Sequence, residues 1–164
     1  MSFNPKLTQW ANKRVWLVGA STGIGEALAR QLDALGCKQM LSARSADKLA
    51  TLAGELKHAT ALPLDITQQT AVNTAFEAVM GAWGGVDLIV LMAGTYSEMS
   101  VDGFDIDKVC QQIDVNLNGT MYVLANALPK LLEQKSGHIA IVSSVAGYRG
   151  LPNSLAYGPT KAAL

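Results

Sequence analysis

Short apolar runs alternate with longer stretches of helical periodicity along this whole chain, and that alternation leaves few folds open. Val15-Trp16-Leu17-Val18 reads as a buried strand, followed by the turn Gly19–Gly25. Ile24, Ala27, Leu28, Leu32 and Leu35 then recur at helical spacing, and Gly36 stands where a helix ends. Gln39–Ala43 is a second strand, with a helix over 46–57. Ala61–Leu64 is a third, shortened by Pro63, and the helix after it runs to Trp83. Asp87–Met92 is apolar after its first residue, as a strand covered on both faces should be. A long helix is expected over 105–133, with Val109, Ile113, Leu117, Met121, Leu124 and Leu128 along one stripe. His138–Val142 is the fifth strand. Such alternation predicts an α/β fold, a doubly wound parallel sheet of Rossmann type with right-handed crossovers. At 164 residues the chain is one domain, 1–164.

Ligands bind beyond the carboxyl ends of such strands. Gly19–Gly25, Asp65, Ala93-Gly94 and Ser144 all fall at those ends. The turn has the spacing G-x-x-x-G-x-G. Its glycines allow close backbone approach to a pyrophosphate, and the following helix offers free amides and a positive dipole end. Ser21 and Thr22 add hydroxyls. The same turn also serves as a plain tight connection between strand and helix. No G-K-[ST] follows, which disfavours a nucleoside-triphosphatase loop.

Near the end, Tyr157 and Lys161 stand four apart on one helical face, and Ser144 lies thirteen residues before the tyrosine. An ammonium one turn away favours a phenolate, which suits a tyrosine to proton transfer. Pro159 falls between them, in a first helical turn where its missing N–H has no partner to lose.

Composition excludes several classes. The 13 basic and 13 acidic residues cancel, so nothing points to nucleic acid or an acidic membrane. The longest apolar run, Leu88–Ala93, is far below the ~20 residues that span a bilayer. Residues 1–6 lack the apolar core of a signal peptide. Cys37 and Cys110 form no C-x-x-C pair and read as buried free thiols of a reducing compartment, and a cytoplasmic location is expected. His58 and His138 have no ligand-like neighbours, and no metal is expected.

Taken in order, Val18-Gly19-Ala20-Ser21-Thr22-Gly23-Ile24-Gly25, Leu64-Asp65-Ile66, Ala93-Gly94, Asn116, Ser144 with Val145-Ala146-Gly147, and Tyr157 with Lys161 resemble the short-chain dehydrogenase/reductase family. The resemblance covers essentially the whole chain. It implies an NAD(P)-dependent oxidoreductase that interconverts a small-molecule carbonyl and an alcohol by hydride transfer. In that reading Tyr157 is the general acid/base and Ser144 polarises the substrate oxygen. Lys161 lowers the Tyr157 pKa and binds the ribose, while Asn116 supports a water leading from Lys161 to solvent. Ser143 is the rival to Ser144. Gly19, Ser21, Thr22, Gly23, Ile24, Gly25, Arg44, Asp65, Ile66, Ala93, Gly94, Tyr157 and Lys161 are the implied cofactor contacts. Asp65 and Ile66 would meet the adenine ring, with a helix cap as the other reading of Asp65. Enzymes preferring NAD carry an acid after the second strand. Here Leu41-Ser42-Ala43-Arg44 has none, and Arg44 suits a 2′-phosphate. NADP is therefore expected, with NAD as the alternative and Arg44 otherwise a solvated loop charge.

The chain departs from the family pattern at Val18, where threonine is common, and at Met92, where asparagine is usual. It stops three residues after Lys161, so the expectation is a piece of a longer enzyme, with little turnover of its own. The family often forms dimers or tetramers through the long helix and the Tyr157 helix, and a homo-oligomer is implied. The competing reading, from another class, is a dinucleotide-binding regulator or scaffold without turnover.

Overall fold

A computed structural model of the chain describes residues 7–164, and the opening hexapeptide read above lies outside them. Five parallel strands form one sheet in the order β3-β2-β1-β4-β5. They are β1 (Arg14–Val18), β2 (Lys38–Ser42), β3 (Ala59–Ala61), β4 (Leu88–Leu91) and β5 (His138–Ile141). Helices α1 (Gly23–Ala34), α2 (Ala46–Glu55) and α3 (Gln69–Trp83) make the first crossovers. After β4 come α4 (Ile106–Ile113), a π-helical turn at Asp114–Asn118 and α5 (Gly119–Gln134). A short 3₁₀ turn, Val145–Gly147, and α6 (Tyr157–Ala162) complete the chain.

Alternation along β1 divides the core. Val15 and Leu17 face α1 and α2, meeting Ala29, Leu32, Leu49 and Leu52. Trp16 and Val18 face the other layer, with Val72, Phe76 and Val79 of α3 and Val123 and Ala127 of α5. Each Val, Leu or Phe among them, fully buried, contributes about 1.5–3 kcal/mol. The single polar group of Trp16 is satisfied in the core, its ring N–H donating to Ser42 Oγ at 2.9 Å. At the amino end of the sheet Arg14 grips Asp87, through Nε at 3.0 Å and Nη2 at 2.9 Å, and fixes β1 against β4.

The third strand sits two residues earlier than the sequence suggests. Its ladder nevertheless continues past Ala61, because Leu62 N–H donates to Leu41 O at 2.8 Å and Leu64 N–H to Ala43 O at 3.0 Å. Pro63 lies between these two donors, where no N–H is needed.

The long helix differs more. The apolar stripe expected over 109–128 lies largely beside the core rather than in it: Met121 is 42% and Leu128 48% exposed, Val109 and Leu117 are half-buried, and Leu124 packs against the core from its edge. The buried face instead carries Gln112, Val115, Asn116, Gly119, Thr120, Val123 and Ala127. Small and amide side chains are required there because α5 runs close to the exit of β3: Gly119 lies directly against Ile66. Cys37 is buried as expected, whereas Cys110 is exposed on α4. None of the described helices is long and apolar enough to cross a membrane.

Candidate cofactor cleft and catalytic helix

The strand order reverses direction between β1 and β4, and a cleft of about 400 Å³ opens at their carboxyl ends. Gly19 leaves β1 with φ +99°, and a Cβ there would lie 2.5 Å from Ala93 N. A Cβ on Gly25 would strike Gly19 O. The turn can therefore pass under the exit of β4 only with glycine at both positions. Gly19 and Ala20 N–H both donate to Ser42 O, at 2.7 and 3.1 Å, which ties the turn to β2.

Of the implied cofactor contacts, Gly19, Ser21, Thr22, Ile24, Gly25, Arg44, Ile66, Ala93 and Gly94 line this cleft together. Gly23 opens α1 at φ +59°. Asp65 instead lines an adjoining hollow with Arg44, and its Oδ1 accepts from Thr67 N–H at 3.0 Å and Thr67 Oγ at 2.8 Å. Its local role is thus to shape the entry to α3. Ser45 and Lys48 also line the cleft, and none of the lining residues is acidic. A glycine cradle, free helix-start amides and two basic side chains fit an elongated phosphate-bearing ligand.

The second half of the site is built on α6, which starts at Tyr157. Lys161 follows one turn later and is 5% exposed. Its Nζ donates to Val142 O at 3.1 Å and stands 5.8 Å from the centre of the Tyr157 ring. A Cβ on Gly94 would be 3.6 Å from that nitrogen, so the ammonium sits immediately beside the cleft. Burial without a carboxylate partner pulls the Lys161 pKa down.

Asn116 locks this arrangement from inside the π-helical turn. Its Oδ1 accepts from Thr95 N–H at 2.7 Å, and its Nδ2 donates to Thr95 O and to Thr160 Oγ1, both at 3.0 Å. Thr160 Oγ1 in turn donates to Tyr157 O at 2.8 Å. The asparagine thus joins the β4 exit to α6, with its side-chain amide fully engaged.

The two serines after β5 separate by their hydroxyls. Ser143 Oγ donates to Lys161 O at 2.6 Å. Ser144 Oγ accepts from Ala146 N–H at 3.2 Å, which leaves its own hydrogen uncommitted. Residues not singled out from sequence are Lys48, Gln112, Thr160 and Tyr96. Gln112 is four residues from Asn116, so helical spacing carried a signal for it, whereas Arg44 precedes α2 and shares no helical face with Lys48.

Residues 13–164 match the family model described as short chain dehydrogenase. The chain belongs to the short-chain dehydrogenase family. An uncharacterized oxidoreductase of Staphylococcus aureus strain MRSA252 is 34% identical over 160 residues, covering 96% of this chain and 69% of that protein. The crystal structure of a short-chain dehydrogenase from Streptomyces avermitilis superimposes with a TM-score of 0.86 at 28% identity. That match covers 93% of this chain and 57% of the Streptomyces chain, so the present chain spans little more than half its length. The structure of gox2181 gives a TM-score of 0.88 at 24% identity, a likeness of fold alone.

Proposed function

We propose that this chain carries the cofactor cleft and proton-transfer groups of an NADP-preferring oxidoreductase that interconverts a carbonyl and an alcohol. The observation that carries the reading is the position of Lys161 Nζ, buried one turn from Tyr157 and directly beside Gly94 in the cleft wall. When bound, the nicotinamide supplies or takes up the hydride. Gly19, Ser21, Thr22, Gly23, Ile24 and Gly25 would hold the pyrophosphate, Ile66 and Asp65 the adenine side, and Ala93 and Gly94 the backbone passage beside the ring. In the reducing direction Tyr157 gives its phenolic proton to the carbonyl oxygen, and Ser144 donates its free hydrogen to the same oxygen. Lys161 would hold the ribose, and its ammonium favours the phenolate left behind. Asn116 positions Thr95 and α6.

Arg44 and Lys48, with no acidic residue in the lining, support NADP over NAD. A homo-oligomer is proposed through the outward stripe of α4 and α5, where Met121, Leu128 and Leu132 are exposed. The test uses the full-length gene product with NADPH or NADH and a panel of ketones, aldehydes and quinones, followed at 340 nm. Tyr157→Phe is expected to abolish turnover while cofactor affinity stays nearly intact. Persistent activity in that variant would remove Tyr157 as the proton donor. Cofactor binding with no turnover of any carbonyl by the unsubstituted protein would favour the regulator instead.

A further inference from the structure

We propose that Tyr96 is a specificity-determining residue of this site, and that it selects carbonyl compounds bearing an apolar, preferably aromatic, group beside the carbonyl. The inference deepens the oxidoreductase reading and rests on it.

Residues 95–97 leave β4 as an open loop, yet both neighbours of Tyr96 are pinned by buried amides. Thr95 is held through its N–H and its carbonyl by Asn116. Ser97 N–H donates to Gln112 Oε1 at 3.3 Å, and Gln112 Nε2 reaches back to Ser97 O at 3.5 Å and to Lys108 O at 3.4 Å. Gln112 and Asn116 are both 0% exposed. Burying two amides is tolerated only with partners, and here most of those partners are the peptide groups on either side of one tyrosine.

A second set of bonds fixes the loop against the segment before α6. Met99 N–H donates to Asn153 O at 2.8 Å, and Asn153 Nδ2 donates to Glu98 Oε1 at 2.7 Å. Tyr96 is thereby presented over α6, half exposed. Its ring meets the Tyr157 ring edge-on, with centres 5.1 Å apart and planes at 75°. Such a contact restricts how the Tyr157 ring can turn.

Beside the paired rings lies a hollow of about 360 Å³, lined by Tyr96, Leu151, Pro152, Ser154 and Tyr157. No charged residue lines it, and Ser154 Oγ is turned to Pro152 O at 3.4 Å. A compound whose carbonyl oxygen reaches the Tyr157 hydroxyl would lay its neighbouring group against Tyr96, Leu151 and Pro152. An apolar group gains there by leaving water, and an aromatic one gains further from the Tyr96 ring. A carboxylate in the same place would lose hydration and find no counter-charge.

The experiment compares acetophenone with pyruvate as substrates of the full-length gene product, in unsubstituted form and as Tyr96→Phe, Tyr96→Ala and Leu151→Lys. The unsubstituted protein should favour acetophenone in kcat/KM. Tyr96→Ala should lower kcat/KM for acetophenone roughly tenfold, chiefly through KM, with cofactor affinity unchanged. Tyr96→Phe, which keeps the ring, should restore the unsubstituted value. Leu151→Lys should shift preference toward pyruvate, independently of any effect of the tyrosine on folding. Equal kcat/KM for acetophenone in the unsubstituted protein and in Tyr96→Ala, or a preference of the unsubstituted protein for pyruvate, would overturn the assignment and leave the oxidoreductase reading standing. Cofactor binding with no turnover of any carbonyl would end that reading itself, and this inference with it.

Discussion

Lys161 shows how a single buried charge bears on stability as well as on the proposed chemistry. Burial holds its pKa below the ordinary lysine value of 10.5, so the folded chain takes up that proton less readily than the unfolded chain. The charge therefore opposes folding near neutral pH, and the penalty fades as pH climbs from the depressed value to 10.5, where both states lose the proton. Compared with Lys161→Met, which has no charge to bury, the unsubstituted protein should gain stability through the alkaline range. Urea midpoints of the two proteins, measured from about pH 7 upward, check this. A difference that stays constant with pH would show that burial costs this lysine nothing. At this scale the sequence was informative about residue type and poor about partners. Tyr157 and Lys161 were singled out by spacing, and the thirteen-residue interval favoured Ser144, but the bond that engages the Ser143 hydroxyl with Lys161 O could not be read from it. Nor could Thr160 between them, because its role depends on Asn116, 44 residues away in the chain.

Among the elements, β1 and β4 were legible as compact apolar runs, and β4 is buried along its whole length, whereas the short Ala-Thr-Ala strand β3 was misplaced by two residues. Helix faces were harder. Spacing alone identifies an apolar stripe but not whether that stripe meets the molecule's own core. On α4 and α5 the inward face is small and polar, so the larger residues beside it misled. The bidentate pair of Arg14 and Asp87 is a further feature invisible in the pattern, since the two stand 73 residues apart. Hydrogen bonding from Arg14 holds the Asp87 carboxyl below its ordinary value of 3.8. Its contribution to stability is present above 3.8 and is lost as pH falls through the lower folded value. Asp87→Asn should cost about 2 kcal/mol at neutral pH, with the gap closing in acid. Urea denaturation at several pH values measures it, and a gap that persists at acid pH would mean that the charge contributes nothing.

For the molecule as a whole, the two halves of the site are assembled by topology rather than by neighbouring sequence. The glycine turn and α6 are separated by almost the entire chain and meet only because β1, β4 and β5 are adjacent in one sheet. Alternation predicted that these segments would gather at the carboxyl ends of the strands, while the strand order itself is a finding of the structure. The cation pair at the cleft rim carries a solution-scale consequence. Arg44 and Lys48 are exposed, so their attraction for a 2′-phosphate is open to screening, with a Debye length of ~10 Å at 0.1 M salt and ~3 Å at 1 M. NADPH affinity should therefore fall several-fold across that interval while NADH affinity changes less. Fluorescence titration with both cofactors tests it, and Arg44→Asp should flatten the NADPH dependence. Parallel salt curves for the two cofactors would remove the basis for NADP preference.

The wide turn at Asp114–Asn118 has one more implication, for what a shortened gene could encode. An extra residue in that loop of helix sets the phase between everything upstream and everything downstream. Excising one residue would restore ordinary helical bonding and swing the upstream half by about 100° around the axis. Gln112 would then point away from Ser97 while Asn116 still faced Thr95, and the tyrosine between them would lose one of its two moorings. A more regular helix would thus yield a less ordered doorway.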